Sequence, residues 1–404
     1  MVVISPLKIE YGEDRCSLSS VIKDEKNEIE KDVFFSVEKE YGCYLVPEVA
    51  DSFVLASLLP ALVTRQAIKV EAISDHFYYH FKTLVYLLGK CFGYPPIEIV
   101  YNRIVHLGFT PQSVATGFSG GVDSFATYLN HSSAECPEEF KITHLTLFNV
   151  GSYGNNYATT VSSFMKDAVR AKEFAETVNL PLVIIDSNIG ELYTHKDIYH
   201  YSLRSTLCLS SAILVLQKLF KIYFISSSGT VDNMKLCRYD QYYYECSLVQ
   251  LLSNNNTSIY VAEANLDRVQ KTKILMNSDL AKKYLYVCAA DIYNEKLGTH
   301  YQKADKPNCS ECIKCTRTLL TLDVLGVLND FADRFDIDKY KRLKNELLYD
   351  VCVNYEYDHF KKEIFMLMKE RGYALAPTMK FRLSVGKTIL FVRRVSAYLK
   401  RKLF

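Results

Sequence analysis

Short apolar runs alternate with helix-length segments through the middle of this chain. Runs rich in Val, Ile and Phe occupy residues 113–118, 144–149, 182–186 and 222–226. The helical segments that follow the first three runs are 124–129, 159–177 and 205–220. Strands that alternate with helices form parallel sheets covered on both faces. The sequence therefore predicts a doubly wound, Rossmann-like α/β domain with its ligand site at the carboxyl ends of the strands.

The first apolar run leads directly into the loop 119–124, which reads Ser-Gly-Gly-Val-Asp-Ser, and a helix follows. Two adjacent glycines let the backbone turn tightly and approach a phosphate, to which the helix adds its free N–H groups and dipole. We expect the two serine hydroxyls to donate further hydrogen bonds, and the aspartate to hold the Mg²⁺ that accompanies a nucleotide. The predicted phosphate-binding residues are Ser119, Gly120, Gly121, Val122, Asp123 and Ser124.

Two other interpretations of this loop stay open. Residues 117–121, Gly-Phe-Ser-Gly-Gly, also satisfy the nucleophile-elbow pattern of α/β-hydrolases, with Ser119 as the nucleophile. In that fold several strands of the sheet precede the elbow, whereas here the alternation begins with it. The second alternative is a glycine turn with a structural role alone.

A run of cysteines provides a separate chemical signal. Cys309, Cys312 and Cys315 are spaced by three residues, and Cys288 lies upstream as the fourth ligand that a tetrahedral site needs. Such turn-and-helix spacing lets thiolates converge on one metal. A closed site of four thiolates favours a structural Zn²⁺, and an iron–sulfur cluster is the alternative.

The loop Ser-Gly-Gly-x-Asp-Ser after the first strand resembles the PP-loop of the ATP pyrophosphatases. Followed by one cysteine and then Cys-x₂-Cys-x₂-Cys, it is similar to the 7-cyano-7-deazaguanine synthase branch over residues 112–325. The resemblance implies an ATP-dependent ligase in which an acceptor oxygen attacks the α-phosphate and releases pyrophosphate. Ammonia then displaces AMP. The acceptor it implies is a carboxyl or amide oxygen, with a 7-carboxy-7-deazaguanine-like acid as the leading expectation.

The same resemblance assigns roles to residues outside the loop. It places the adenine pocket around 149–153, phosphate and substrate contacts at 226–232, and a lysine beside the ATP phosphates. The catalytic residues it implies are Asp123, Ser119 and Lys271. The further nucleotide-binding residues it implies are Asn149, Val150, Gly151, Ser228 and Gly229. Where the family has Gln-Arg-His after Tyr-Gly, this chain has Asn155-Asn156-Tyr157.

The length of 404 residues predicts two to three domains. We expect an N-terminal α+β domain at 1–108, the PP-loop domain at 109–325 and a helical region at 326–404. Residues 377–404 hold eight of the 48 basic residues and no acidic one. The other 40 basic residues face 46 acidic ones, so the rest of the chain has a net charge of −6. The segment 388–404 reads as a basic amphipathic helix. Such a helix either packs its apolar face on the protein itself or binds an acidic protein, RNA or a membrane surface.

The remaining expectations concern location and rival functions. The longest uncharged apolar stretches, 52–64 and 205–217, are too short to span a bilayer, and the start of the chain lacks the pattern of a secretory signal. We therefore expect a cytoplasmic protein. We also expect a homo-oligomer, and ammonia that is either free in solution or supplied by a partner subunit. One rival is a PP-loop sulfurtransferase acting on a nucleobase or tRNA. The other is a nucleotide-gated binding subunit of a larger assembly, such as a phage-defence complex.

Overall fold

The computed structural model describes residues 1–291, 294, 298–302, 305–380 and 382–383. These residues form two compact units, Met1–Asn265 and Leu266–Phe404. The basic helix expected at 388–404 lies outside the described residues. The observed division after residue 265 differs from the expected boundaries after 108 and 325, because the strands before and after residue 108 belong to one sheet.

The first part of unit Met1–Asn265 contains six strands and two helices. They are β1 (Val2–Ile4), β2 (Lys8–Tyr11), β3 (Arg15–Asp24), β4 (Ile29–Glu38), α1 (Asp51–Thr64), β5 (Ile68–Ser74), α2 (Asp75–Phe92) and β6 (Ile99–Val105). Helix α2 begins at Ser74, whose hydroxyl accepts a hydrogen bond from the Phe77 N–H, and ends at Gly93 in the left-handed conformation. These are the N-cap and C-cap residues that helices favour.

The second part alternates strand and helix, as the sequence predicts. Its elements are β7 (Ser113–Gly117), α3 (Val122–His131), β8 (His144–Asn149), α4 (Tyr157–Thr177), β9 (Leu182–Ser187), α5 (Ser205–Val215), β10 (Phe220–Ser226), α6 (Glu245–Leu252) and β11 (Ser258–Ala262). All five strands pair in parallel with their neighbours in this half of the sheet. At one end of it, β9 meets the antiparallel strand β4.

The order of the strands reverses at one point of the sheet. The order is β11-β10-β7-β8-β9-β4-β3-β1-β5-β6, with β2 paired to β3. From β7 the chain moves outward to β8 and β9, and it then returns to place β10 on the other side of β7. The strand order therefore reverses between β7 and β10. Ligands of open α/β sheets bind outside the carboxyl ends of the strands at this reversal.

An antiparallel contact between β4 and β9 joins the two halves of the sheet. Only Phe35 and Ser36 pair with β9 in regular register. Side chains extend the junction where the ladder stops, because the Asn188 Oδ1 accepts from the Phe34 N–H and the Glu38 carboxylate accepts from the Ile184 N–H. Polar side chains thus satisfy backbone groups that diverging strands leave unpaired.

The core on one side of the sheet is built around two helices without a polar face. Helix α5 is buried along nearly its whole length, and so is α1, and the two pack against each other. A helix that is apolar all round belongs in the interior of a protein. Together with strand residues such as Phe35 and Phe220 they form the main hydrophobic cluster.

The second unit contains only helices as regular elements in its described part. They are α7 (Arg268–Leu275), α8 (Asp279–Tyr284), α9 (Ile313–Leu325), α10 (Ile337–Asn354) and α11 (His359–Glu370). Within the described residues of the whole chain, no helix combines the length and hydropathy that crossing a bilayer requires.

Candidate functional site

The turn between β7 and α3 lies at the reversal of strand order. Gly120 has a φ of +76°, in the left-handed region that glycine adopts without a steric penalty. Gly121 is the N-cap of α3 and has no side chain to accept from the first helical turn. The first N–H groups of α3 therefore have no capping side chain from that position, and uncapped helix N-termini are the arrangement that binds anions.

The hydroxyl groups of the loop lie beside this turn. The Ser119 Oγ is 3.4 Å from the Ser124 Oγ and accepts a long 3.4 Å hydrogen bond from the Gly121 N–H. Ser124 is buried and donates to the Gly121 carbonyl, whereas Ser119 is exposed. Asp123, in the first turn of α3, is half-buried. The exposed hydroxyl can thus reach a ligand, while the buried one holds the turn closed.

An aromatic cluster packs beside the start of the loop 119–124 and fixes its position. Phe118 continues the ladder beyond β7 by donating its N–H to the Thr146 carbonyl. Its ring stacks on Phe174 of α4 with centroids 3.9 Å apart and meets Phe125 of α3 edge-on at 5.0 Å. The loop therefore extends from a packed core, and its backbone N–H groups are held in one arrangement.

The backbone favours the anion-binding interpretation over the nucleophile elbow. An elbow strains the nucleophilic residue itself on its sharp turn. Here the positive φ belongs to Gly120, and Ser119 is not among the described residues with positive φ.

The loop after β10 follows the strand on the other side of this reversal. Ser227 is buried and donates to the Glu245 carboxylate at 2.9 Å, while its Oγ also accepts from the Gly229 N–H. A Cβ on Gly229 would lie 2.5 Å from the Tyr242 ring, so only glycine fits there. Ser228 is half-buried between these two fixed residues. The predicted residues Ser228 and Gly229 thus lie in a closely packed turn at the expected end of the sheet.

The end of β8 carries the residues predicted for the adenine pocket. Asn149 and Val150 are buried, and the Asn149 amide donates to Asp186 Oδ1 at 2.8 Å. The other oxygen of Asp186 accepts from the Tyr157 hydroxyl at 2.6 Å. Burial and the carboxylate of Asp186 raise the pKa of Tyr157, so the hydroxyl keeps its proton. The hydrogen bond from the Asn149 amide to Asp186 therefore connects the ends of β8 and β9.

A buried arginine holds the turns after β8 and β9 together. Arg204 is fully buried, donates to the Gly190 carbonyl and to Asn155 Oδ1, and lies over the Tyr193 ring at 3.8 Å. Its Nε has no hydrogen-bond partner among the described residues. Gly151 has a φ of +93°, and a Cβ there would approach the guanidinium to 3.0 Å. The predicted Gly151 is therefore required by packing against Arg204.

Lys271 belongs to the second unit. It lies in α7 and is 1% exposed, an unusual burial for a lysine. Helix α7 begins at a capping box, in which Asp267 and Gln270 satisfy each other's backbone N–H groups. The short helix thus has a fixed start three residues before the lysine.

The four predicted metal ligands come together in the second unit. The Sγ atoms of Cys288, Cys309, Cys312 and Cys315 all lie within 4.8 Å of one another. Three of these cysteines are buried and Cys288 is half-buried. Hydrogen bonds shared among the thiols lower the pKa of Cys312 and raise that of Cys315. Four thiols this close form a site whose negative charge a bound cation can neutralise.

The distances fit a single ion. A tetrahedron with metal–sulfur bonds of about 2.3 Å has sulfur–sulfur edges of about 3.8 Å. The Cys309 and Cys315 sulfurs are 3.8 Å apart. The thiolates of an iron–sulfur cluster bind different irons and stand further apart. The cysteines present therefore fit one metal ion better than a cluster.

Local structure brings Cys288 to the other three. Asn308 is fully buried, and its Oδ1 accepts from the N–H groups of Val287 and Cys288 at 2.8 and 3.1 Å. Its amide donates to the Leu285 and Arg334 carbonyls. The Cys309 Sγ accepts from the Cys312 N–H at 3.2 Å, as thiolate ligands commonly do. Asn308 thus ties the segment before Cys288 to the start of the cysteine run.

Sequence reasoning missed three polar residues at these sites. Asp186 lies near the end of the apolar strand β9, and a polar residue at that end of a parallel strand is a signal that could have found it. Glu245 and Asn308 carry no comparable signal, because a single polar residue in a loop or at a helix start is ordinary. Their roles depend on partners 18 to 23 residues away along the chain.

Comparison of the chain with protein-family models, curated proteins and solved structures finds no match. The assignment of a function therefore depends on the residues and geometry of this chain.

Proposed function

We propose that this protein is an ATP-dependent ligase that cleaves ATP to AMP and pyrophosphate. The observation that carries the proposal is the position of the Gly120-Gly121 turn. It follows the first strand of the parallel half, begins a ten-residue helix and lies where the strand order reverses between β7 and β10. Phosphate groups bind at such turns through backbone N–H groups and the helix dipole.

Each part of the loop has its own role in binding the nucleotide. Backbone N–H groups of 120–124 bind the pyrophosphate part of ATP, and the exposed Ser119 hydroxyl adds a donor. Asp123 holds the Mg²⁺, whose charge offsets that of the phosphates. We assign the ends of β8 and β10, with Gly151 and Ser228, to the adenine and acceptor. The role that the resemblance implies for Lys271, in unit Leu266–Phe404, stays a prediction.

The proposed reaction balances in two steps. An acceptor carboxylate attacks the α-phosphorus, which forms an acyl adenylate and releases pyrophosphate. Ammonia then attacks the acyl carbon, which releases AMP and a proton and leaves an amide. By the resemblance, a 7-carboxy-7-deazaguanine-like acid is the leading acceptor.

We further propose that Cys288, Cys309, Cys312 and Cys315 bind one structural Zn²⁺. The support is the compact thiol geometry, which suits a closed tetrahedral ion with no position for substrate. The metal would then stabilise the second unit and take no part in ligation.

Product analysis tests the ligase proposal. Purified protein is incubated with Mg-ATP and ammonium, with and without 7-carboxy-7-deazaguanine, and AMP is separated from ADP. AMP and pyrophosphate that depend on the acid are expected. ADP in place of AMP would contradict the site of cleavage, and AMP formed without the acid would contradict only the acceptor.

Replacement of Asp123 links the activity to the loop. Asp123→Ala should abolish AMP formation, at least about 100-fold, since the charged phosphates lose their metal, while the far-ultraviolet circular dichroism stays unchanged. Asp338→Ala is the matched control, because Asp338 also lies in the first turn of a helix but is 81% exposed at its side chain. Equal turnover in the Asp123 variant and the control would exclude the proposed role.

A further inference from the structure

Strand β6 ends the sheet and presents an open edge. Among the described residues it pairs only with β5, in parallel, with Ile99 opposite Ile68. The Ile68 N–H donates to the Glu98 carbonyl. The backbone groups of 98, 100, 102 and 104 therefore point toward β5, and those of 99, 101, 103 and 105 point outward. Open edges are commonly protected by charge or proline, and this strand has one charged residue, Arg103.

The two faces of β6 differ. On one face Tyr101 meets Tyr78 of α2 edge-on, with ring centroids 5.1 Å apart. The other face carries Val100 and Ile104, which are 41% and 42% exposed, and Asn102 between them. Asn102 donates to the Glu71 carboxylate of β5 on the same face. Two branched apolar side chains thus lie uncovered at the edge of the sheet.

We propose that β6 pairs antiparallel with β6 of a second copy of this chain, about a two-fold axis through Asn102. Both backbone edges would be satisfied, and the two sheets would become continuous. A two-fold contact of this kind uses the same patch on both subunits and closes at a dimer. The proposal is independent of the ligase chemistry.

The side chains select one register. Outward-pointing residues must face each other, which centres the axis on residue 101, 102 or 103. An axis at 103 places two Arg103 side chains opposite each other, and like charges in that position destabilise a sheet. An axis at 101 places Val100 opposite Asn102.

The axis at 102 makes every opposing pair compatible. Val100 of each copy faces Ile104 of the other in a non-hydrogen-bonded pair, where side chains lie closest. Tyr101 faces Arg103, which permits a cation–π contact. Each of these contacts occurs twice in the dimer.

Charge substitutions at the opposing pair test this register. Val100 and Ile104 are exposed, so neither substitution alters the core. By light scattering, the wild type should have about twice the chain mass of 46.3 kDa. V100E alone places a carboxylate opposite Ile104 of the other copy, and I104K alone places an ammonium opposite Val100. Each single variant should lower the measured mass to that of the monomer. In the V100E/I104K double variant the new carboxylate of one copy faces the new ammonium of the other, and the dimer should return.

The matched control is Ile29→Lys, because Ile29 is also an exposed strand isoleucine, at 49% exposure, but lies in β4. It should leave the dimer intact. Oxidative cross-linking gives an independent readout, since Asn102 lies on the axis. N102C should form a disulfide-linked dimer, whereas V100C alone should not, and the V100C/I104C pair should.

Three results would overturn the proposal. A monomeric wild type would exclude the dimer, and a dimer unaffected by I104K would place the contact elsewhere. Failure of the V100E/I104K variant to regain the dimer, with N102C remaining uncross-linked, would exclude the register.

Discussion

Gly120 adopts a backbone conformation that an alanine can reach only with strain. Its φ of +76° places a Cβ close to the following carbonyl, at a cost of about 1–2 kcal/mol. Gly120→Ala should therefore lower the free energy of unfolding by about that amount. It should also lower AMP formation by more than about tenfold, because relief of the strain turns the backbone N–H groups away from the phosphate.

Gly93 provides the control for the backbone cost alone. It has a φ of +75° at the end of α2, and a Cβ there meets nothing within 4 Å. Gly93→Ala should lose similar stability in urea denaturation and keep full turnover. Similar losses of turnover in the two variants would mean that Gly120 has no part in nucleotide binding.

Asp51 predicts a pH dependence of stability. Complete burial raises its pKa from 3.8 to about 6, against the opposing hydrogen bond from Ser74. The folded state thus holds a proton that the unfolded state releases between pH 4 and 6. Stability contributed by this group falls as the pH rises through that window, by about 3 kcal/mol at most.

Asp51→Asn should remove this loss, because an amide can still accept from Ser74 and has no charge to bury. Denaturation in urea at pH 4.5 and 7.5 measures the effect, and the variant should exceed the wild type only at the higher pH. Asp24→Asn is the control of opposite sign. Burial raises the pKa of Asp24, but hydrogen bonds from Gln66 and Asn27 outweigh it and lower the pKa overall. Asp24→Asn should therefore lose stability at pH 7.5.

At the scale of elements, the cysteine loops depend on one asparagine. Asn308→Ala leaves the buried N–H groups of Val287 and Cys288 without their acceptor, which costs about 1–3 kcal/mol for each group. Cys288 should then leave the other thiols. We expect a lower melting temperature and a lower metal content by elemental analysis.

Asn354→Ala is the matched control in the same unit. Within the part of the chain that the structure describes, the Asn354 side chain makes one hydrogen bond, to Asp350, at the end of α10. It should change the melting temperature by less than Asn308→Ala and leave the metal content unchanged. Full metal content in the Asn308 variant would show that Cys288 stays beside the other thiols without the Asn308 side chain.

The sequence predicted elements best where their signal is local. The alternation from 113 to 226 is confirmed strand by strand, because apolar runs of strand length leave few alternatives. Predicted helix 205–220 ends instead at Val215, since Phe220 already belongs to β10. Strand β3 was missed because Ser20 occupies one of the buried positions of an alternation whose other buried positions are apolar.

Contacts between distant segments had no local signal. The pairing of β4 with β9 joins residues about 150 positions apart, and the sequence of neither strand indicates which strand it pairs with. The turn at 119–124 before a helix and the clustering of the four cysteines were predictable because the residues of each are contiguous or nearly so. Arg204 and Glu245 take their roles from side chains that only the fold brings near.

At the scale of the whole molecule, the two units differ in architecture. Unit Met1–Asn265 has a continuous sheet with apolar helices packed on it, and the loops after β7 and β10 belong to it. Unit Leu266–Phe404 has no strand in its described part, and its cysteine site joins the segment at 285–288 to the start of α9. Metal binding contributes directly to the folding of such a region.

Removal of metal should therefore act on one unit. With a strong chelator, hydrogen exchange followed by mass spectrometry should show lost protection at 285–291 and 308–325. Strands β7 and β8 should keep their protection, because their hydrogen bonds close within the sheet. Added Zn²⁺ should restore the exchange pattern, whereas Mg²⁺, which prefers oxygen ligands, should not.

Cys312→Ser tests the same prediction without a chelator, since it removes one of the four ligands. Cys352→Ser is its control, because Cys352 is a buried cysteine of the same unit, in α10, outside the thiol cluster. The first variant should exchange like the chelated wild type, and the second like the untreated protein. Simultaneous loss of protection in β7 and α9 would contradict separate stabilisation, because it would mean that the sheet unfolds together with the metal site.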